Sequence, residues 1–185
     1  MVLRRVHHIL AVLFLALVLA PANAAEAAVA RDPYRYFFNE TWGNLPEELE
    51  NARAAGKQAI MLFFEMDECP YCHYMKTTVL NQPRVQEYFR KHFLLFPIDI
   101  EGDIEMTNFR GEVTTQKEFA FREFRVRATP VIAFFDLDGK LIYRHIGKTR
   151  GVSEFMLMGE YIATGKYKEM PYVRFKRQKK KAARR

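Results

Sequence analysis

This chain holds two cysteines, and they stand three positions apart in the sequence C-P-Y-C at 69–72. A continuous apolar run at 59–66 precedes them, and a run with helical spacing of its apolar residues follows at 71–80. The first run predicts a central strand covered on both faces, and the second predicts a helix. Both sulfurs are therefore expected at the junction between a buried strand and the N-terminus of a helix.

The N-terminal residues have the layout of an export signal. Arg4 and Arg5 form a basic start, an apolar run follows at 9–20, and an A-x-A cleavage pattern ends at Ala24. The apolar run is shorter than the roughly 20 residues that a membrane-spanning helix needs. We therefore expect residues 1–24 to be a signal peptide that is cleaved after Ala24, and the mature protein to be exported.

The net charge of +7 is concentrated at the two ends of the chain. Between the signal and the tail, residues 6–173 contain 19 Lys and Arg against 22 Asp and Glu, whereas residues 174–185 contain eight basic residues and no acid. Blocks of like charge are usually disordered. We expect 169–185 to be a basic, disordered tail. The sharper alternative is a weak contact of this tail with an anionic membrane surface. No nucleic-acid partner is expected for an exported protein.

The body predicts the element order α-β-α-β-α-β-β-α. An irregular, aromatic-rich lead-in is expected at 25–43 and one domain at 44–168, with a polar connection at 101–114. Predicted strands lie at 59–66, 93–100, 131–136 and 141–146, and predicted capping residues are Asn44, Thr115 (with Glu118) and Ser153. A crossover half followed by a hairpin and a helix gives an α/β fold, in which helices flank a central mixed four-stranded sheet.

With these elements the chain resembles the thioredoxin superfamily over residues 44–165. The match rests on C-P-Y-C after a hydrophobic strand, on Thr129-Pro130 directly before the third strand, and on the Asp138-Gly139 hairpin turn. Among exported members it is most similar to the SoxW-like periplasmic thioredoxins. The resemblance implies a thioredoxin fold, a periplasmic thiol-disulfide oxidoreductase and no cofactor.

The resemblance also implies the site and its partners. Cys69 and Cys72 would form the redox-active disulfide, and Pro70, Tyr71, Thr129 and Pro130 would contact the substrate, with a cis bond before Pro130. Expected partners are disulfide-containing proteins and an upstream electron donor, a membrane thiol-disulfide transporter. The protein is expected to be a monomer that reduces the disulfides of its partners.

The position of Cys69 identifies it as the attacking thiol. A helix N-terminus supplies partial positive charge and free N–H groups, which stabilise a thiolate. Cys72 lies one turn further along the helix and would resolve the mixed disulfide. Pro70 suits the first turn, where a missing N–H costs nothing.

One position departs from the family pattern. Many thioredoxins carry a buried acid six residues before the first cysteine, and this chain has Phe63 there. Glu65 is the nearest acid in the strand and is a candidate proton acceptor. Asp67 and Glu68 flank the site and oppose a thiolate by like-charge repulsion, whereas the helix N-terminus favours it, so the direction of electron flow stays open.

Other functions remain compatible with the motif. With His73, the sequence is Cys-x-x-Cys-His, which also attaches c-type haem. The same three side chains could bind Cu(I) or contribute to a zinc site, since thiolates suit soft metals. A third alternative is a redox-inert module that uses the fold only to dock partners.

Overall fold

A computed structural model describes residues 29–184. The predicted signal peptide and its cleavage site lie outside these residues. The helices are α1 (Pro33–Tyr36), α2 (Leu45–Ala54), α3 (Pro70–Tyr74), α4 (Pro83–His92), α5 (Gln116–Glu118), α6 (Val152–Ala163) and α7 (Tyr172–Ala182). The chain continues α3 and α5 as π-helical segments, Met75–Leu80 and Phe119–Glu123, and forms a 3-10 turn at Lys166–Lys168.

The central sheet has four strands: β1 (Ala59–Glu65), β2 (Phe93–Asp99), β5 (Val131–Phe135) and β6 (Leu141–Ile146). They lie in the order β2-β1-β5-β6, and the two remaining strands form a separate small sheet. β1 pairs in parallel with β2 and antiparallel with β5, and β5 pairs antiparallel with β6. The predicted mixed four-stranded sheet is therefore confirmed.

Helices cover both faces of this sheet, and every side chain of β1 is therefore buried. Met61 and Phe63 point toward one core, which contains both cysteines and side chains from α3, α4, α6 and α7. Leu62 and Phe64 point toward the other core, which contains side chains from α2 and the α5 region. The period of two along β1 therefore places Glu65 on the same face as the cysteines.

Two of the predicted helix caps are confirmed and one is wrong. Asn44 Oδ1 accepts a hydrogen bond from the backbone N–H of Glu47 at 3.3 Å, and Thr115 Oγ1 accepts from Glu118 N–H at 3.2 Å. Ser153 does not cap α6, because the helix already begins at Val152 and Gly151 occupies the capping position with a φ of 135°.

The connection at 101–114 contains regular structure that we did not expect. β3 (Glu105–Thr107) pairs antiparallel with β4 (Val113–Thr115) in a small second sheet. Strands of three residues have too few positions to show an alternating pattern. Met106, which is 3% exposed, anchors this hairpin in the core.

The lead-in at 25–43 is more ordered than predicted. From residue 29 onward it contains α1, whose Asp32 cap accepts from Tyr34 N–H at 2.9 Å. Phe37 and Phe38 are buried in the same core as the cysteines. Trp42, by contrast, is 97% exposed, so the aromatic residues of this segment do not all pack on the domain.

The prediction of a disordered tail at 169–185 is wrong for its described part, which forms α7. Tyr172 and Phe175 are buried, and their rings lie 5.1 Å from the ring of Tyr143 and 5.4 Å from that of Tyr161, respectively. The burial of these two aromatic side chains, one turn apart, stabilises the helix more than the repulsion between the neighbouring cations destabilises it.

Two of those cations also have acidic partners on α6. Lys176 pairs with Glu154 at 3.0 Å, and Lys179 pairs with Glu160. Although burial acts in the opposite direction, hydrogen bonds from the Arg150 N–H and from Lys176 lower the pKa of Glu154. Within 29–184, no helix combines the length and the apolar character that a membrane crossing requires.

Candidate redox site

The C-P-Y-C sequence lies between β1 and α3, as the sequence predicted. Cys69 is the capping residue of α3 and has extended backbone angles, and Pro70 occupies the first turn. A disulfide bond joins Cys69 to Cys72, whose Cα atoms are 5.2 Å apart. A proline in the first turn is compatible with the helix because the N–H groups there have no partner within the helix.

The two sulfurs differ in their surroundings. Cys69 is 6% exposed and Cys72 is 1% exposed, so Cys69 is the more accessible of the two residues. The backbone N–H of Cys72 donates to Cys69 Sγ at 3.0 Å. A donor in this position stabilises negative charge on Cys69 once the bond is reduced.

The Thr129-Pro130 peptide bond is cis, as predicted. The register between β1 and β5 pairs Phe64 with Val131, so Pro130 lies beside the carboxyl end of β1. The structure thereby brings Thr129 and Pro130 to the same end of the sheet as C-P-Y-C. The Thr129 hydroxyl is buried, and no group in 29–184 hydrogen-bonds to it.

A third segment, the loop at 147–151, also lies at this end and was missed from the sequence. Its Lys148 ammonium lies 5.1 Å from the ring centre of Tyr71 and 4.3 Å from that of Tyr74. Thr149 is fully buried, and its backbone N–H lies 3.4 Å from Met75 Sδ on the helix that carries the cysteines. In the sequence, Gly147 and Gly151 indicate a loop but do not indicate which surface that loop contacts, so this part of the site was not predicted.

A partly buried polar cluster lies on the cysteine side of β1. Lys76 Nζ donates to Glu65 Oε2 at 2.8 Å and to the Tyr34 hydroxyl at 2.9 Å, and Tyr34 donates to Glu65 Oε1 at 2.7 Å. Both oxygens of Glu65 therefore have partners. Because Lys76 follows Cys72 by four residues, this cluster fixes the active-site helix to the end of β1.

The cluster shifts two pKa values. Burial is the main cause that raises the pKa of the Tyr34 hydroxyl, and the nearby Glu65 charge adds to it. Burial alone would lower the pKa of Lys76, but hydrogen bonds to Glu65 and Tyr34 outweigh it and raise that pKa. Lys76 is therefore a cation at neutral pH. Phe63, at the position of the family acid, is fully buried among apolar side chains.

The described structure contains no ready-made metal site for the Cu(I) or zinc alternatives. Across residues 29–184, no three His, Cys, Asp or Glu side chains are grouped to hold a metal ion. His73 is exposed on the first turn of α3.

Comparisons with known proteins agree with this fold. The model of a family described as thioredoxin-like domain matches residues 45–162. A thioredoxin-fold protein from Helicobacter pylori is 25% identical and superposes with a TM-score of 0.54, covering 69% of this chain and 82% of the other. A thioredoxin from Thermus thermophilus is also 25% identical, with a TM-score of 0.52 and coverages of 69% and 87%.

A more distant structure shares the fold. The structure described as DsbH oxidoreductase is 17% identical, has a TM-score of 0.50 and covers 70% of this chain and 88% of its own. No curated protein matches the sequence significantly.

The fold and the cysteine pair define a protein of the thiol-disulfide oxidoreductase class. The family match covers more than half of the chain, so the chain belongs to the thioredoxin-like domain family within the thioredoxin superfamily.

Proposed function

We propose that this protein is a periplasmic thiol-disulfide oxidoreductase that reduces the disulfide bonds of partner proteins. The observation that carries the proposal is the Cys69–Cys72 pair at the N-terminus of α3, at the sheet end where the Thr129-Pro130 bond lies. A pair that closes a loop this short adds little stability, because the benefit of a disulfide grows with loop length. Exchange chemistry explains the pair better.

The reaction proceeds in two exchanges. The Cys69 thiolate attacks one sulfur of the substrate disulfide, forms a mixed disulfide and releases the other substrate sulfur as a thiolate, which takes up a proton. The Cys72 thiol then loses its proton and attacks Cys69 Sγ. This step releases the second substrate thiol and leaves the Cys69–Cys72 disulfide. Two electrons pass to the substrate, and a dithiol donor restores the enzyme.

The substrate would bind across the exposed surface around Cys69. Tyr71 is 55% exposed between the cysteines, and Pro70 is exposed beside it. Thr129 and Pro130 precede β5 at the same end of the sheet. An extended substrate segment would lie along this turn as an added strand, which is a common mode of peptide recognition.

Two observations favour reduction as the direction. The similar protein from Thermus thermophilus is described as a thioredoxin. Strong oxidants of this class stabilise the reduced thiolate, and the exposed carboxylates of Asp67 and Glu68 next to Cys69 act against that stabilisation.

We base the proposed location and partners on the export signal predicted at residues 1–24. An oxidising compartment re-forms disulfides, so a periplasmic reductase needs electrons from across the membrane. We propose a membrane thiol-disulfide transporter as the donor, exported disulfide proteins as substrates and a monomeric enzyme.

Insulin reduction with dithiothreitol as the electron source tests the activity. The protein is expected to accelerate precipitation of the insulin B chain, and Cys69→Ser is expected to return the rate to that of dithiothreitol alone. His73→Ala serves as the matched control and should retain the activity, because exchange does not use the imidazole. No acceleration by the wild-type protein, with Cys69→Ser indistinguishable from it, would favour the redox-inert docking module.

A further inference from the structure

The outward face of α7 carries a row of cations. Residues 172, 175, 176 and 179 face the domain, as their burial and ion pairs show. At 3.6 residues per turn, the opposite side of the helix holds positions 174, 177 and 181, and position 184 lies in the turn that follows the helix. We call these four residues the basic stripe: Arg174, Arg177, Lys181 and Arg184, all of which are exposed.

The docking of α7 holds the basic stripe in one orientation. Tyr172 and Phe175 are buried against the rings of Tyr143 and Tyr161. The Tyr161 hydroxyl also donates to the carbonyl of Met170 at 2.7 Å, which fixes the start of the helix. Arg174, Arg177 and Lys181 therefore point away from the domain together, as a surface that a flexible tail would not present.

Among residues 29–184, the stripe has no counter-charge. Lys176 and Lys179, on the docked face, pair with Glu154 and Glu160. No carboxylate in residues 29–184 lies within ion-pair distance of a stripe residue. Like charges one helical turn apart repel each other, so an external anionic surface would relieve this repulsion.

We propose that the basic stripe docks this protein onto an anionic lipid surface. From 174 to 181 the stripe extends about 10 Å along the ridge of the helix, at 1.5 Å per residue. A convex ridge cannot enclose a small anion, but it can place its three cations against a flat anionic surface at once. The stripe also contains no aromatic residue, whereas the cores of protein interfaces are rich in aromatics. A membrane fits these features better than a protein partner.

Vesicle binding by the full chain tests this proposal and does not depend on the redox activity. The probes are phosphatidylcholine vesicles with and without phosphatidylglycerol. Binding is expected only when phosphatidylglycerol is present, and it should weaken as salt is added, because salt screens exposed charges. Replacing the four stripe residues by glutamine should lower the partition coefficient at least about 50-fold, given the contribution of each cation near a charged surface.

The matched control removes the same charge elsewhere. Arg84, Lys91, Lys117 and Lys140 are exposed and make no ion pair within 29–184. The variant with glutamine at these four positions should keep most of the binding. Circular dichroism of both variants verifies that α7 is retained.

Three outcomes would overturn the proposal. In the first, wild-type protein ignores phosphatidylglycerol. In the second, the control variant loses as much binding as the stripe variant, so that net charge alone is responsible. In the third, polyglutamate displaces the protein from vesicles at equal charge concentration, which would favour an acidic polypeptide as the partner.

Discussion

Replacing Cys72 by serine is expected to leave the protein covalently bonded to its substrate. Cys69 attacks first, and Cys72 is the thiol that breaks the mixed disulfide. The chain has no third cysteine to take over this step. Turnover should therefore stop after one exchange, with close to one substrate molecule attached per enzyme. Incubating the reduced variant with insulin and recording the intact mass under non-reducing conditions measures this adduct.

The matching variant Cys69→Ser should form almost no adduct. Its remaining thiol, Cys72, is 1% exposed and lies one turn inside the helix, where a folded substrate cannot reach it. An adduct that forms equally fast through Cys72 would contradict the assigned roles. An adduct with neither variant would contradict exchange chemistry altogether.

Replacing Glu65 by leucine is expected to lower the free energy of unfolding by about 2 kcal/mol, between the values for surface and for fully buried ion pairs. The Lys76 side chain is 24% exposed and would keep its charge without the carboxylate that now lies 2.8 Å away. The Tyr34 hydroxyl would lose its acceptor at the same time. Removing one member of a buried ion pair costs more than removing both. Urea unfolding of the oxidised protein measures the change.

The double variant Glu65→Leu/Lys76→Met separates the ion pair from simple packing. It should recover stability to within about 1 kcal/mol of the wild type, because no buried charge is left unpaired. A single variant that loses less than about 1 kcal/mol would mean that water screens the pair as it does at a surface. A double variant as unstable as the single one would mean that packing around Glu65 is responsible.

The sequence predicted the parts of the site that are encoded locally. Neighbouring residues alone predict the position of C-P-Y-C between a strand and a helix. They also predict the four strands of the central sheet and the helix caps Asn44 and Thr115. The family resemblance added the cis bond before Pro130, which the structure contains.

The rest depends on contacts between distant parts of the chain. Lys148 covers Tyr71 and Tyr74 only because β6 returns the chain to the cysteine end of the sheet. Tyr34 joins Glu65 and Lys76 because the lead-in packs on the domain. The prediction of a disordered tail was wrong for a similar reason. It considered only the repulsion between the cations of the tail and not their pairing with the acids of α6.

The reduction potential of the Cys69–Cys72 pair is the measurement that tests the proposed reductase most directly. Equilibration with glutathione at defined ratios, followed by thiol trapping, gives this value for the full chain. We expect one two-electron transition at a reducing potential of about −270 mV, the value for thioredoxin. A potential near about −120 mV, typical of strong disulfide oxidants, would contradict it and assign the opposite direction of electron flow.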